Sequence, residues 1–134
     1  MPRLESIVHV STSFVNIHLG THQKEELYPF PLGEAEKLLR QWHAMSGDEI
    51  ATYERDVALK VFPSTYACSK ALTEHMVQNW SRSMNLPVVI VRPALVIGAH
   101  SEPIPGWVEG KAGPNGIAIL TALGVVPQWV GDKV

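Results

Sequence analysis

Cysteine is nearly missing from this chain: Cys68 is the only one in 134 residues, so no disulfide can close within it and a small cross-linked scaffold is excluded. A reduced, intracellular setting is the expectation. An excess of one charge is lacking as well, since 11 Lys and Arg stand against 13 Asp and Glu. That balance gives no electrostatic reason to expect nucleic acid or an anionic membrane surface as partner. The longest mostly apolar stretch, residues 117–126, is half of the roughly 20 residues a spanning helix needs. No membrane span is expected within the chain. The opening residues Met1-Pro2-Arg3-Leu4-Glu5 lead into an alternating segment without a cleavage-site pattern, so they do not read as a signal peptide. The end, Gly131-Asp132-Lys133-Val134, is not an address of the Ser-Lys-Leu kind. Repeats and low-complexity segments are absent, and no Gly-x-x-Gly-x-x-Gly turn occurs anywhere.

What is present is the composition of a packed globular chain, 46% hydrophobic and 18% charged, long enough for one domain with its own core. Residues 4–12 read as a strand, with Ile7, Val8 and Val10 in a near-continuous apolar run that suits a parallel strand covered on both faces. Residues 16–33 have no period and read as a surface loop. From Gly33 to Ser46 the spacing of Ala35, Leu38, Leu39, Trp42 and Met45 is helical, with Gly47 placed to end the helix. Asp48 then caps a second helix from Glu49 to about Lys60.

Pro63-Ser64-Thr65 opens the longest helix, Thr65 to about Met84, whose stripe is Leu72, Met76, Val77, Trp80 and Met84. Asn85 and Pro87 stop it. Residues 87–92 form a second strand, followed by a Pro- and Gly-rich loop over 98–116 and a short helix over 117–123. A strand, a long helical connection and another strand make a βαβ unit of an open α/β sheet, whose ligands bind at the carboxyl ends of the strands. Thr12 and Arg92-Pro93 fall at those two ends.

Tyr66 and Lys70 sit four residues apart in the long helix, a spacing that puts a phenol and an ammonium on one face. Reduction of a carbonyl by hydride needs a group to receive the charge developing on oxygen and a proton donor poised near the working pH. A lysine one turn away favours the phenolate form of the Tyr and can hold ribose hydroxyls of a nicotinamide nucleotide. Thr12, fixed at a strand end, can donate a hydrogen bond to the substrate oxygen. Other polar and aromatic residues have plainer readings. His18 and His22 belong to a solvated loop rather than a metal site, and Glu36, Lys37 and Arg40 to a wet helix face. Trp42, Trp80, Trp107 and Trp129 are core or interface packing, and Cys68 is a small packing residue.

Several longer segments narrow the picture: Val8-His9-Val10-Ser11-Thr12, Glu26-Leu27-Tyr28-Pro29, Thr65 to His75 around the Tyr-x-x-x-Lys, Val91-Arg92-Pro93-Ala94-Leu95-Val96-Ile97-Gly98, Glu102-Pro103-Ile104-Pro105-Gly106-Trp107, and Gly113-Pro114-Asn115-Gly116. Together they resemble the alcohol-forming fatty acyl-CoA reductases of the extended short-chain dehydrogenase/reductase superfamily. The resemblance implies an α/β fold, a partial Rossmann-type doubly wound parallel sheet without its N-terminal Gly-rich βαβ half. It implies NADPH-dependent reduction of a long-chain acyl-CoA to an aldehyde and then a primary alcohol, with release of CoA. By position, Tyr66 is the acid, Lys70 its electrostatic partner and Thr12 the oxyanion donor. Ser11, Tyr66, Lys70, Pro93, Ala94 and Val96 would hold the cofactor, and Glu102, Pro105, Gly106, Trp107, Gly113 and Gly116 would shape the acyl or CoA entrance.

The missing Gly-rich turn is the large departure, and with it residues 1–134 are expected to be one fragment of such a domain. The fragment would comprise a strand over 7–12, the catalytic helix over 65–84, a strand over 87–92 and a substrate-side region over 98–134. Met1 then looks like an internal methionine, and strand edges and apolar surface are expected to lie open. A membrane-associated parent, at the peroxisome or the endoplasmic reticulum, is implied only by the resemblance. Two other functions stand beside it: an extended reductase for a sugar nucleotide or steroid, and a non-catalytic scaffold or interaction fragment.

Overall fold

The computed structural model describes residues 4–20, 22–111 and 113–126, and divides the chain into two compact units, residues 1–94 and 95–134. In the first unit, β1 (Ile7–Val10) and β2 (Val88–Val91) pair in parallel, with Ile7 opposite Val88 and Val10 opposite Val91. The ladder runs past both strand ends, since the Ser11 amide donates to the Val91 carbonyl at 2.7 Å and the Ser13 amide to Pro93 at 2.9 Å. This is a mixed α/β unit with a two-stranded parallel sheet. The register puts Ile7, His9, Val88 and Ile90 on one face, where they are half-buried. Val8, Val10, Val89 and Val91 point the other way and are all exposed. Cover on both faces, expected from the apolar runs, is therefore not found within the described residues, because the helices of this unit shield one face alone.

Between the strands the chain departs from the expected elements in three places. Residues 13–19 form a kinked 3₁₀ helix capped by Thr12, and Val15 and Asn16 within it are buried. Residues 16–33, expected as a surface loop, thus begin inside a helix with Asn16 buried, and just before them Val15, with no exposed surface, plugs the core. Next, α1 (Ala35–Ala44) buries Ala35 and Leu38, and α2 (Gly47–Tyr53) follows. Its cap is Ser46 rather than Asp48. Ser46 Oγ accepts the Glu49 amide while Glu49 Oε2 accepts the Ser46 amide at 2.8 Å, a reciprocal box that satisfies two orphan donors. These bonds draw the Glu49 carboxyl below its ordinary range. Finally, the helix expected to run to Lys60 is broken by a π-helical turn over Glu54–Ala58 before α3 (Leu59–Val61).

The long helix α4 (Thr65–Met84) matches the expectation at both ends. Ser64 Oγ accepts the Ala67 amide at 3.1 Å, and Asn85 takes the left-handed conformation that closes the last turn. Packing of α4 against the 3₁₀ helix, α1, the π turn and β2 makes it the hub of the unit. Ala67, Cys68, Ala71 and Leu72 lie in its buried face, where small side chains let Val15, Ala58 and Phe62 approach. Phe30, Leu32, Trp42 and Tyr53 join this cluster to a second one formed by Ala35, Leu38 and Leu72. Toward its C-terminus the expected stripe fails: Trp80 and Met84 are exposed. They lie beyond the helices that cover the earlier turns.

In the second unit, residues 98–107 fold back on themselves. Ala99 and Trp107 pair through Ala99 amide to Trp107 carbonyl and Gly106 amide to Ala99 carbonyl, both at 2.8 Å. A Cβ at Gly98 would sit 2.9 Å from the Gly106 carbonyl oxygen, so this close approach requires glycine. α5 spans Gly113–Ala122, four residues earlier than expected, because Gly116 lets the helix pass a carbonyl of Lys111 that any Cβ would strike. Among the described residues no helix is long and apolar enough to cross a membrane. Trp129 and the rest of 127–134, like Met1, lie outside the described residues.

Candidate active site

Lys70 is the centre of the arrangement. From the second turn of α4 its Nζ donates to the Val10 carbonyl, the last of β1, at 3.1 Å, and stands 5.9 Å from the centroid of the Tyr66 ring. The four-residue spacing thus delivers phenol and ammonium to one side of the helix, beside the carboxyl end of β1. One hydrogen bond on an ammonium leaves two N–H groups for other partners. Tyr66 is open to solvent, 53% exposed. Its backbone carbonyl accepts the Ser69 hydroxyl at 2.9 Å, which tightens the first turn.

Ser11 and Thr12 follow β1 directly, and both are buried. Thr12 Oγ1 accepts the Phe14 amide at 3.2 Å as cap of the 3₁₀ helix. Acceptance of that bond leaves its own O–H free to donate. Ser11 Oγ is buried and finds no hydrogen-bond partner among the described residues, a state that costs free energy unless something bonds there. Pro93 is brought alongside by its bond with the Ser13 amide. So Ser11, Thr12, Tyr66, Lys70, Pro93 and Ala94 belong to the first unit. Val96, Glu102, Pro105, Gly106, Trp107, Gly113 and Gly116 belong to the second. Within that unit Glu102 to Trp107 form the tight returning loop, and Gly113 lines an apolar cavity of about 720 Å³ with Leu95, Ile117 and Ala118.

The sequence pattern marks Arg92 only as a strand-end residue and does not single out Glu74. Glu74 is 1% exposed, one turn beyond Lys70. Arg92 grips it with two parallel bonds, Nε to Oε1 at 2.8 Å and Nη2 to Oε2 at 2.7 Å, and donates from both Nη atoms to the Glu26 carbonyl at 3.1 Å. The carboxylate beside it holds the guanidinium further above its ordinary range. His75 meets the Tyr28 carbonyl through Nε2 at 2.8 Å, and burial pulls its imidazole below the usual value. One signal was available: the Glu26 to Pro29, Glu74 and Arg92 positions all lie within the quoted motifs.

His18 is not a solvated loop residue. Its ring packs edge-on against Phe62 at 4.7 Å, and burial lowers its pKa. The Cys68 thiol is pushed up to about 11 by burial and then by the Glu54 carboxylate, so it is an inert packing group. Among the described residues no group of three or more His, Cys, Asp or Glu could hold a metal ion.

The family model described as male sterility protein, an NAD-binding domain, matches residues 1–134. The chain is 38% identical over its whole length to fatty acyl-CoA reductase 2 of Homo sapiens and 40% identical to that of Mus musculus, covering 26% of each. It is 33% identical to fatty acyl-CoA reductase 1 of Xenopus laevis over 94% of the chain and 24% of the relative. It thus spans about a quarter of the length of the curated relatives it matches. No solved structure matches it.

Proposed function

The chain belongs to the male sterility protein family of NAD-binding domains, and on that premise we propose that it is part of the reductase domain of a longer enzyme. That enzyme reduces long-chain fatty acyl-CoA to a primary alcohol through an aldehyde, releasing CoA, with NADPH as reductant. The observation that carries the reading is the Lys70 ammonium, tethered to the end of β1 and held beside the Tyr66 ring. In the aldehyde step the Tyr66 hydroxyl delivers the proton to the reacting oxygen; in the thioester step it hydrogen-bonds the tetrahedral oxyanion, which collapses to the aldehyde as the C–S bond breaks and CoA leaves as a thiolate protonated by solvent. Lys70 favours the phenolate that remains, and the free O–H of Thr12 donates to the oxygen as its charge develops.

A nicotinamide group fits this end of the sheet. The orphaned hydroxyl of Ser11 and the remaining N–H groups of Lys70 supply the hydrogen bonds such a ligand needs, at the strand ends where dinucleotides bind. Ser11, Tyr66, Lys70, Pro93 and Ala94 would hold it, and when bound it supplies the hydride. Its pyrophosphate calls for a Gly-rich turn that this sequence does not contain, which supports a longer polypeptide that completes a doubly wound sheet over the exposed valines. In the second unit, Glu102, Pro105, Gly106, Trp107, Gly113 and Gly116 are the residues we assign to contact with the acyl chain or CoA.

The test is a graft of residues 1–134 in place of the matching segment of the mouse relative, with NADPH consumption and alcohol measured on long-chain acyl-CoA. The graft is expected to turn over, and Tyr66→Phe to lower turnover by at least about 10²-fold with NADPH binding retained. Undiminished turnover in that variant refutes the assignment.

A further inference from the structure

Tyr66 also lines a cavity of about 280 Å³ with Trp42, Glu54, Ala58, Cys68 and Ser69. Two of these residues are the first and last of the π-helical turn. π turns inside helices are rare, and they are frequent at functional sites. Here the turn contributes a half-buried carboxylate and a fully buried methyl group to the space beside the phenol. The Cys68 thiol offers no nucleophile.

Size and charge decide what the cavity can take. Whole ligands occupy roughly 300–1,000 Å³, so a space just below that range admits one slender segment and not a dinucleotide. No cationic side chain lines it, and Glu54 is its one charged group. A phosphate or a free carboxylate entering this space would meet that charge with no cation on the cavity wall, since Lys70 is not one of the lining residues. An uncharged, mostly apolar segment would not. We propose that this cavity receives the uncharged acyl segment adjoining the reacting thioester carbonyl, with Glu54 and Ala58 as specificity-determining residues that admit thioester and reject free fatty acid. The assignment rests on the reading of Tyr66 as proton donor.

The experiment uses the full 134-residue chain, the uncharged thioester S-decanoyl-N-acetylcysteamine and the decanoate anion, with binding followed at the indole N–H resonance of Trp42. Ser69→Phe fills the cavity from an exposed position on α4, and Ser83→Phe, exposed near the far end of the same helix, is the control. Expected are saturable thioester binding that moves the Trp42 signal, a loss of about tenfold or more in Ser69→Phe at unchanged melting temperature, and no loss in Ser83→Phe. Decanoate should bind at least about tenfold more weakly, and Glu54→Gln should narrow that gap. If Ser69→Phe fails to fold, Thr65→Trp, also exposed and on the cavity wall, takes its place. Equal binding of thioester and decanoate, full binding by the filled variant, or no saturable binding by the folded chain overturns the proposal. In the graft, Tyr66→Phe losing reduction while Ser69→Phe keeps it would sink the cavity assignment alone; loss in neither would sink the catalytic reading as well.

Discussion

Tyr66 and Glu74 stand two helical turns apart on α4 and live in opposite surroundings, one 53% exposed and the other 1%. Glu74 spends its carboxylate on Arg92, whose remaining donors reach the Glu26 carbonyl, so helix, second strand and the segment at Glu26 are tied at one point. At the Tyr66 end, Ala67 and Cys68 pack into the core while the charged group, Lys70, makes one hydrogen bond, to the Val10 carbonyl. A buried ion pair is poor evidence of net stability, because desolvation offsets much of its attraction, but its fixed fork geometry specifies register. The contrast is a division along one helix: the Glu74 charge is buried and fixed by a fork, and the Lys70 ammonium keeps N–H groups that no other described residue takes.

That division is broken most directly at Arg92. Arg92→Ala strands a carboxylate at 1% exposure and is expected to lower unfolding free energy by about 3–5 kcal/mol, read by urea or thermal denaturation. A double change, Glu74→Leu with Arg92→Leu, should cost much less, since no charge is left unpaired. A loss in Arg92→Ala no larger than in a surface variant would show that the buried pair does not anchor the helix.

Lys70→Met sharpens the other side. Its contact to Val10 is partly exposed, so its removal is expected to cost about 1 kcal/mol or less in stability. In the graft the same change should nonetheless lower turnover by about 10²-fold or more, since the proposed phenolate stabilisation and the proposed ribose contact are lost together. A large stability loss with turnover intact would reverse the roles assigned to the two ends.

The sequence reveals α4 almost to the residue because every local signal agrees there: Ser64 caps, a 3.6-residue period fills it, and Asn85 and Pro87 end it. Parallel pairing of β1 and β2 was legible from two β-branched runs separated by helix signals. What stayed hidden depends on non-local or sub-periodic events. The 3₁₀ helix over Ser13–Leu19 is too short and tight to imprint a period, and burial of Val15 is decided by Phe62 and the small face of α4. A π turn changes one hydrogen-bond step, which composition does not register. Ser46, with Glu49 three residues after it, carries the pattern of a capping box, and that reciprocal pair takes the cap in place of Asp48. At the site, spacing alone gave the Tyr66 and Lys70 face, whereas the Glu74 and Arg92 pair spans 18 residues and appears only in three dimensions.

The smallest effect concerns the imidazole next to the buried pair. Burial lowers the His75 pKa most, the Tyr28 carbonyl and Glu74 pull it back up, and Arg92 lowers it again; His18 is lowered by burial against Phe62. In the unfolded chain both titrate near about 6.5. As pH falls through that value the unfolded state takes up protons that the folded state still refuses, so folding stability must fall with acid and level off only below the folded pKa values. The carboxyls of Glu49 and Asp56, also held low, act in a more acidic window. Between about pH 7 and 5, then, the lowered His75 and His18 contribute a decline in stability. His75→Gln preserves an N–H donor for the Tyr28 carbonyl and should flatten the slope while sparing stability at neutral pH. Denaturation curves showing the same slope in wild type and variant, or a wild type that gains stability on acidification, would place the proton uptake elsewhere.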